Sequence, residues 1–323
     1  MVLPMLGLGF AILATARATP PYGGTIFLDP DIITAADPTT YQNLVATGRG
    51  NRVMYDRRGE HYVSLNAYLF HATFDDGLSF EIQVNPEFSA TAAAQAAAKY
   101  APVIGRLPTC LRAHVQTVWI HMGVYPFGGG DNNLLIHTGQ ADAYATDGIL
   151  EETLVHEASH TSLDDAHAAS AGWLAAQTAD HEFISTYARD NPTREDVAET
   201  FLVYLAVRYR AARITTAMAN TISRTVPNRI AYFDGQALDM YPIVPAKPLV
   251  VTGFSYNRTT GSMDLSWDSR PNIKYAVDVS TDLTHWQEFA GSITSQGYAT
   301  RFVRTGMPAQ VRAFFRVHEL PTP

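Results

Sequence analysis

Two histidines and a glutamate are spaced as zinc-dependent hydrolysis requires. Residues 154–160 read LVHEASH, so His156 and His160 are four residues apart and Glu157 follows the first of them. On a helix, residues four apart lie about 40° apart around the axis, on one face, and two imidazoles can therefore bind one ion. From that position Glu157 can take a proton from a zinc-activated water molecule, as a general base. The motif predicts a catalytic Zn²⁺ held by the two histidines.

A catalytic zinc needs a third protein ligand, which must come from outside this motif. One class of zinc peptidases uses the longer pattern H-E-x-x-H-x-x-G-x-x-H, but here Leu163 occupies the glycine position and Ala166 the last histidine position. We therefore reject that class. Asp164 would lie about 6 Å along a continuing helix from His160, which suits a residue that supports a ligand rather than a ligand itself.

Glu195 is the best candidate for the third ligand. Glu195 and Glu199 are again four residues apart, and the next helical turn brings Phe201 and Leu202, so the pair borders an apolar face. We predict that Glu195 binds the metal and that Glu199 accepts a hydrogen bond from the second ring nitrogen of a ligating histidine. Metal-bound imidazoles usually have such a partner. The pattern also allows the two glutamates to exchange these roles.

The sequence around these acids resembles the third-ligand region of the anthrax lethal factor catalytic domain and its relatives. Residues 185–201 read STYARDNPTREDVAETF, which is similar to the pattern S-Y-x-R-x-N followed by E-x-x-A-E-x-F in those proteins. The acidic pair at 164–165 is similar as well. Those proteins are zincins of the gluzincin type, whose third ligand is a glutamate. The resemblance covers residues 156–210 and departs from the family at Ser159, where glycine is common.

The resemblance implies a role for each residue of this segment that matches the family pattern. Glu195 would be the third zinc ligand, and Glu199 would lie behind the ligands as the partner of a histidine. Tyr187 matches the tyrosine whose hydroxyl stabilises the oxyanion. A phenol aimed at developing negative charge is the electrostatic help that peptide hydrolysis needs.

The elements that position these residues are predicted from periodicity and capping signals. Strands are expected over residues 61–65, 80–84, 115–122 and 132–137, and helices over residues 148–162, 166–178 and 192–213. Ser89 is expected to cap an alanine-rich helix, and Asn191 with Pro192 to open the last helix. We expect residues 134–137 to form an edge strand that pairs with extended substrate, and residues 128–130, which read GGG, to form a turn.

Composition divides the chain into three parts. Residues 1–18 carry an apolar run and end in the small-x-small pattern ARA, which predicts a signal peptide. Residues 19–245 would form the zincin-like metallopeptidase domain, of α+β class. Prolines 242, 245 and 248 mark a linker. Residues 246–323 alternate as a small all-β sandwich does, and segments such as LSW and FFRV resemble fibronectin type III-like modules.

Charge and composition restrict the class of partner. The net charge is −8 and no basic stripe is present, which argues against a nucleic-acid partner. No stretch is long and apolar enough for an integral membrane segment. The single cysteine, Cys110, cannot form an intramolecular disulfide and is expected in the core. The remaining partners are a peptide or protein substrate and, for the C-terminal module, a surface, a polysaccharide or a protein.

Together these observations predict a zinc-dependent endopeptidase that is secreted or periplasmic. The chain lacks the G-x-M-E-N segment with which related aminopeptidases capture a free N-terminus, and this favours internal cleavage. The alternative is a secreted, adhesin-like binding protein on a zincin scaffold whose metal is structural or lost. Glu157 argues against that alternative, because a structural metal site has no need of a base.

Overall fold

The computed structural model describes residues 19–29, 31–180, 182–245, 249–270, 273–306 and 312–320. The predicted signal peptide, residues 1–18, lies outside them. Within the described residues the chain is a mixed α and β protein with a C-terminal region that is entirely antiparallel β. None of the described helices is long and apolar enough to cross a bilayer.

The strands are β1 Tyr41–Asp56, β2 His61–Phe74, β3 Ser79–Val84, β4 Thr117–His121, β5 Gly128–Gly130, β6 Asn133–His137, β7 Val251–Asn257, β8 Ser262–Asp268, β9 Lys274–Ser280, β10 Gln287–Thr294, β11 Ala299–Arg304 and β12 Phe314–Glu319. The helices are α1 Ala90–Ile104, α2 Thr109–Arg112, α3 Thr138–Thr146, α4 Leu150–Ser162, α5 Asp164–His167, α6 Ala171–Ala179, α7 Thr186–Asp190, α8 Asp196–Tyr209, α9 Thr216–Thr225 and α10 Pro227–Asp234.

The first six strands form one twisted sheet in the order β1-β2-β3-β4-β6-β5. The pairs β3/β4 and β4/β6 are parallel, and the remaining pairs are antiparallel. Helix α1 connects β3 to β4, and the hydroxyl of Ser89 accepts a hydrogen bond from Ala92 N at 3.2 Å, which confirms the predicted cap. One continuous apolar core joins this sheet to the helices, and Cys110 is buried in it as predicted.

The expected edge strand is an internal strand, so this prediction was wrong. β6 lies between β4 and β5, and the glycines that were expected to turn form the edge strand β5 instead. Glycine is required there because β5 packs directly on α4: a Cβ at Gly129 would lie 1.8 Å from the carbonyl oxygen of Glu157. The edge strand beside the histidine helix is therefore Gly128–Gly130.

Two of the predicted helices also differ from the observed ones. Residues 191–195 form turns, and α8 begins at Asp196, so Asn191 and Pro192 do not open it. Glu195 is the residue directly before the helix. The helix expected over residues 166–178 is divided into α5 and α6, and Ser170 caps α6 by accepting from Trp173 N at 3.1 Å. The interruption between α5 and α6 and the late start of α8 both lie between Asp164 and Glu199, the stretch that carries the predicted acidic site residues.

The chain before β1 crosses behind α4 and α8 and is held by their side chains. Ile26, Leu28 and Ile32 are buried in the main core. The carboxylate of Glu152 on α4 accepts hydrogen bonds from Leu28 N at 2.8 Å and from Ile32 N at 3.4 Å. The described residues 22–29 and 31–33, which we call the N-terminal strap, are thus part of the first core.

The C-terminal region has two three-stranded antiparallel sheets, ordered β11-β8-β7 and β10-β9-β12. Alternate residues of β8 and β9 point into a second, separate core, which includes Trp267 and Tyr275. The described parts of the two regions touch where the Arg270 guanidinium lies 4.9 Å from the ring centroid of Tyr241. Prolines 242 and 245 lie in a segment that packs on the first core through Ile243, and Pro248 lies outside the described residues.

Candidate metal centre

The side chains of His156, His160 and Glu195 converge on one point. His156 Nε2 and His160 Nε2 are 3.1 Å apart, and Glu195 Oε2 lies 3.3 Å from the first nitrogen and 3.1 Å from the second. Three donors at about 2.0–2.1 Å from one tetrahedral ion would be about 3.3 Å from one another. The spacing of these atoms therefore fits a zinc ion, and these three residues could hold one.

The second nitrogen of each histidine faces a carboxylate. His156 Nδ1 lies 3.4 Å from Glu199 Oε1, and His160 Nδ1 lies 2.7 Å from Asp164 Oδ2. The structure thus brings the predicted Glu199 and Asp164 behind the two imidazoles. Because a carboxylate is an acceptor, each Nδ1 is placed to donate its ring proton, which leaves each Nε2 as the atom that can bind a metal ion in exchange for its own proton.

Glu199 is fixed in this orientation by two donors on its other oxygen. Its side chain is fully buried. Oε2 accepts a hydrogen bond from Ser185 Oγ at 2.6 Å and another from Ile26 N, in the N-terminal strap, at 2.9 Å. Ser185 also caps α7, because its hydroxyl accepts from Ala188 N at 3.0 Å. Oε1 therefore remains free to face His156, and the strap contributes to the position of that imidazole.

Glu195 is held by the start of α8. Glu199 N donates to Glu195 O at 2.9 Å, which places Glu195 at the N-cap position. The neighbouring Asp196 is fully buried, and its Oδ2 lies 3.0 Å from Arg229 Nε and accepts from Gln177 Nε2 at 2.9 Å. This buried ion pair anchors the first turn of the helix, and the anchor fixes the carboxylate of Glu195 opposite the two histidines.

The donor set itself indicates a cation. Three electron-rich atoms at about 3 Å repel one another unless protons or a metal ion lie among them. Burial alone would lower the pKa of His156, but the carboxylates of Glu195 and Glu199 outweigh it and raise the pKa to about 10. In the same way Asp164 and Glu195 overcome burial and raise the pKa of His160 to about 9. Burial would raise the pKa of Glu195, yet the two imidazoles hold it well below its usual range.

The candidate metal centre forms one wall of an open cleft with a volume of about 470 Å³. Glu157 lines this cleft next to His156, and its side chain is only partly buried. Tyr187 lines the cleft as well, with its ring stacked near that of His156 at 6.5 Å between centroids. Burial and the nearby charge of Glu195 raise the pKa of Tyr187, so its hydroxyl stays protonated and able to donate.

A second pair of histidines is buried in the sheet, apart from this centre. His121 and His137 end the neighbouring parallel strands β4 and β6 and stack at 5.6 Å between ring centroids. Asn85 Nδ2 lies 2.9 Å from His121 Nδ1. Within the described part of the chain, neither ring nitrogen of His137 has a hydrogen-bond partner. Among the described residues, nothing around His137 suggests a metal site.

Sequence reasoning missed several residues that position the site. Ser185 stands in the segment that carries the family resemblance, so a signal for it existed. Arg229 and the strap residue Ile26 are 30 and 173 positions away from Glu199 and have no pattern that points to it. No protein-family model matches the chain, and no curated protein matches it either.

Proposed function

We propose that the protein is a zinc-dependent peptidase of the zincin type whose metal is held by His156, His160 and Glu195. The observation that carries the proposal is the convergence of three neutral or anionic donor atoms on the wall of an open cleft, with Glu157 beside them. When bound, a zinc ion would polarise a water molecule and the carbonyl group of the scissile bond.

The protein's own residues transfer the proton, stabilise the oxyanion and orient the two imidazoles. Glu157 follows a ligand directly and lines the cleft, so its carboxylate is placed to accept the proton of the attacking water and to pass it to the leaving amine. The hydroxyl of Tyr187 is placed to donate a hydrogen bond to the oxygen of the tetrahedral intermediate. Glu199 and Asp164 keep the proton on Nδ1 of each imidazole, and so keep Nε2 available as a donor.

The alternative function is a binding protein with a structural metal. Structural zinc sites are closed by four protein ligands, usually cysteine or histidine. Among the described residues the cluster contains three donors, and all three residues line the cleft, so a metal ion held by them would be accessible to a substrate in the cleft. This geometry favours catalysis. Cleavage inside a peptide chain also fits the cleft, which is open rather than enclosed.

We propose further that the C-terminal region is a spacer or attachment module, fibronectin type III-like, and that the protein acts outside the cytoplasm. The module has its own core, separate from that of the peptidase region. The ring of Trp286 could stack on a carbohydrate, but the guanidinium of Arg316 lies 4.5 Å from its centroid and covers one of its faces. We therefore expect its ligand to bind elsewhere on the module.

The proposal is tested by comparing residues 19–323 with the Glu157→Gln variant in a general protease assay. We expect peptide cleavage by the wild-type protein, loss of cleavage in the variant, and equal zinc content in both. The amide of glutamine keeps the size of the side chain and removes the base. Cleavage that is indifferent to Glu157→Gln, or a wild-type protein with zinc but without activity on any peptide, would favour the binding-protein alternative.

A further inference from the structure

Two neighbouring arginines at the tip of the β1–β2 hairpin have opposite surroundings. Arg58 is paired twice: Nη2 lies 2.8 Å from Asp56 Oδ2, and Nη1 lies 2.6 Å from Glu87 Oε2. Arg57 forms no ion pair with any described residue, and its Nε is buried without an acceptor. Arg58 therefore joins the hairpin tip to Glu87, whereas the charge of Arg57 is not paired by any residue that the structure describes.

Arg57 reaches the cleft that contains the candidate metal centre. Its guanidinium lies over the edge strand β5, where a Cβ at Gly128 would come within 2.9 Å of Arg57 Nη2. Arg57, Gly128, Glu157 and His156 line the same cleft. The absence of a side chain at Gly128 leaves room for the guanidinium beside the metal site.

The contacts between β5 and α4 show at which end of the cleft Arg57 lies. Gly129 packs against the backbone of Glu157, and Gly130 N donates to Thr161 Oγ1 at 2.8 Å, so β5 runs alongside α4 in the direction of its C-terminus. Arg57 lies at the Gly128 end. Asp164 and Asp165 follow Thr161 and line the other end of the cleft. A chain lying in the cleft would thus meet Arg57 at the Gly128 end, whereas Asp164, Asp165 and the exposed Arg194 line other parts of the cleft.

The charge of Arg57 is not paired by any described residue, and an anion in the cleft would balance it by accepting from two N–H groups of the guanidinium. The planar fork of arginine matches a carboxylate better than any other group in a peptide. We propose that Arg57 is a specificity residue that binds a carboxylate of the substrate at the Gly128 end of the cleft. This inference rests on the proposed peptidase function and adds a substrate class to it: peptides with an acidic side chain, or a free C-terminal carboxylate, at that position.

The test begins with a proteome-derived peptide library cleaved by the wild-type protein. The best substrate is then synthesised with each acidic residue replaced in turn by its amide, and with a free or an amidated C-terminus. Binding of each peptide is measured on the Glu157→Gln protein, which should hold zinc without turnover, and on the same protein with Arg57→Gln. Arg49→Gln is the matched control, because Arg49 lies on the same hairpin, donates to Asn66 O, packs over the ring of Tyr68 and is not among the residues that line the cleft.

We expect one carboxylate of the substrate to contribute about 10- to 100-fold in affinity, and this contribution to disappear with Arg57→Gln but not with Arg49→Gln. Dependence on a side-chain acid identifies an endopeptidase subsite, and dependence on the free C-terminus identifies a carboxypeptidase. Arg57→Glu should shift the preference to lysine at the same position. If peptides are cleaved without preference for any carboxylate, or if Arg57→Gln changes all affinities equally, the inference is overturned while the peptidase function stands. If no peptide is bound or cleaved, both fail.

Discussion

The two buried histidine pairs of this protein differ in what surrounds their ring nitrogens. His156 and His160 each have a carboxylate on Nδ1 and share a third carboxylate at Nε2. His121 and His137 stack on each other and have no carboxylate within hydrogen-bond range among the described residues. The difference appears in their protonation: acids raise the pKa of the first pair, whereas burial lowers that of the second, to about 4 for His137.

This comparison shows that burial of two imidazoles does not make a metal site. Burial removes water from both pairs, and for the second pair it favours the neutral ring and nothing more. Around the first pair, buried carboxylates supply negative charge that only protons or a cation can balance. We therefore predict that the affinity of this site for zinc depends on the carboxylates as much as on the histidines.

Removing the shared carboxylate should have the largest effect. Glu195→Ala leaves two imidazoles without the third ligand, so we expect zinc affinity to fall by more than about 100-fold, beyond the range typical of supporting residues. Zinc per chain after dialysis against a weak chelator measures the loss. Glu182→Ala is the matched control, since the carboxylate of Glu182 accepts from its neighbour Phe183 N and does not line the cleft. Equal zinc content in the two variants would contradict the assignment of Glu195.

Tyr187→Phe should separate catalysis from metal binding. The ring that stacks near His156 is kept and only the hydroxyl is lost. We expect zinc content to remain at the wild-type level and kcat to fall by about 10²- to 10³-fold, the usual effect of losing one oxyanion donor. Steady-state kinetics on one peptide substrate would show this, and a wild-type kcat would remove Tyr187 from the reaction.

Removing the charge behind each histidine should have a smaller effect on zinc. Glu199→Gln and Asp164→Asn keep the size of the side chain but weaken the acceptor on Nδ1, so we expect zinc affinity to fall by about 10- to 100-fold. A competitive titration with a fluorescent zinc chelator measures each change. Asp165→Asn is the control for Asp164→Asn, because both residues line the cleft and only Asp164 contacts His160. Unchanged affinity in both test variants would mean that the carboxylates have no part in metal binding.

The second histidine pair should affect acid stability and leave zinc unchanged. Burial, His121, Arg58 and Arg57 outweigh the charge of Asp56 and lower the pKa of His137 from its usual value of 6.5 to about 4. A depressed folded pKa contributes stability above pH 6.5 that is lost as the pH falls towards 4, up to roughly 3 kcal/mol.

His137→Phe should therefore flatten the dependence of unfolding free energy on pH between about 6.5 and 4. Urea unfolding of the metal-free wild-type and variant proteins at a series of pH values measures the difference between the two curves. Parallel curves would show that His137 titrates normally in the folded protein. Loss of zinc in this variant would remove the distinction between the two histidine pairs.

The centre of the site could be predicted because it depends on helical spacing. His156, His160, Glu195 and Glu199 come as two pairs four residues apart, and the structure brings all four together. The start of α8 could not be predicted in the same way. Asn191-Pro192 is a good local signal for a helix start, but the buried pair of Asp196 with Arg229, 33 residues later, sets the first turn.

Residues brought together by strand register or by long-range packing left no local signal. His121 and His137 meet only because β4 and β6 are parallel neighbours in that register. The glycine run suggested a turn, because glycine is common in turns, whereas its real requirement is the close approach of β5 to Glu157. No sequence pattern connects Arg57 to the site, because its unpaired charge follows from the pairing of Arg58 with Asp56 and Glu87 in the folded structure.

The most direct test of the proposed zinc site is a crystal structure of the wild-type protein grown with zinc, with anomalous scattering measured on both sides of the zinc absorption edge. We predict one strong anomalous peak in contact with His156 Nε2, His160 Nε2 and Glu195 Oε2, at about 2.0–2.2 Å from each atom, and none at His121 and His137. A peak at the second pair, or no peak among the three donors of the first, would contradict it.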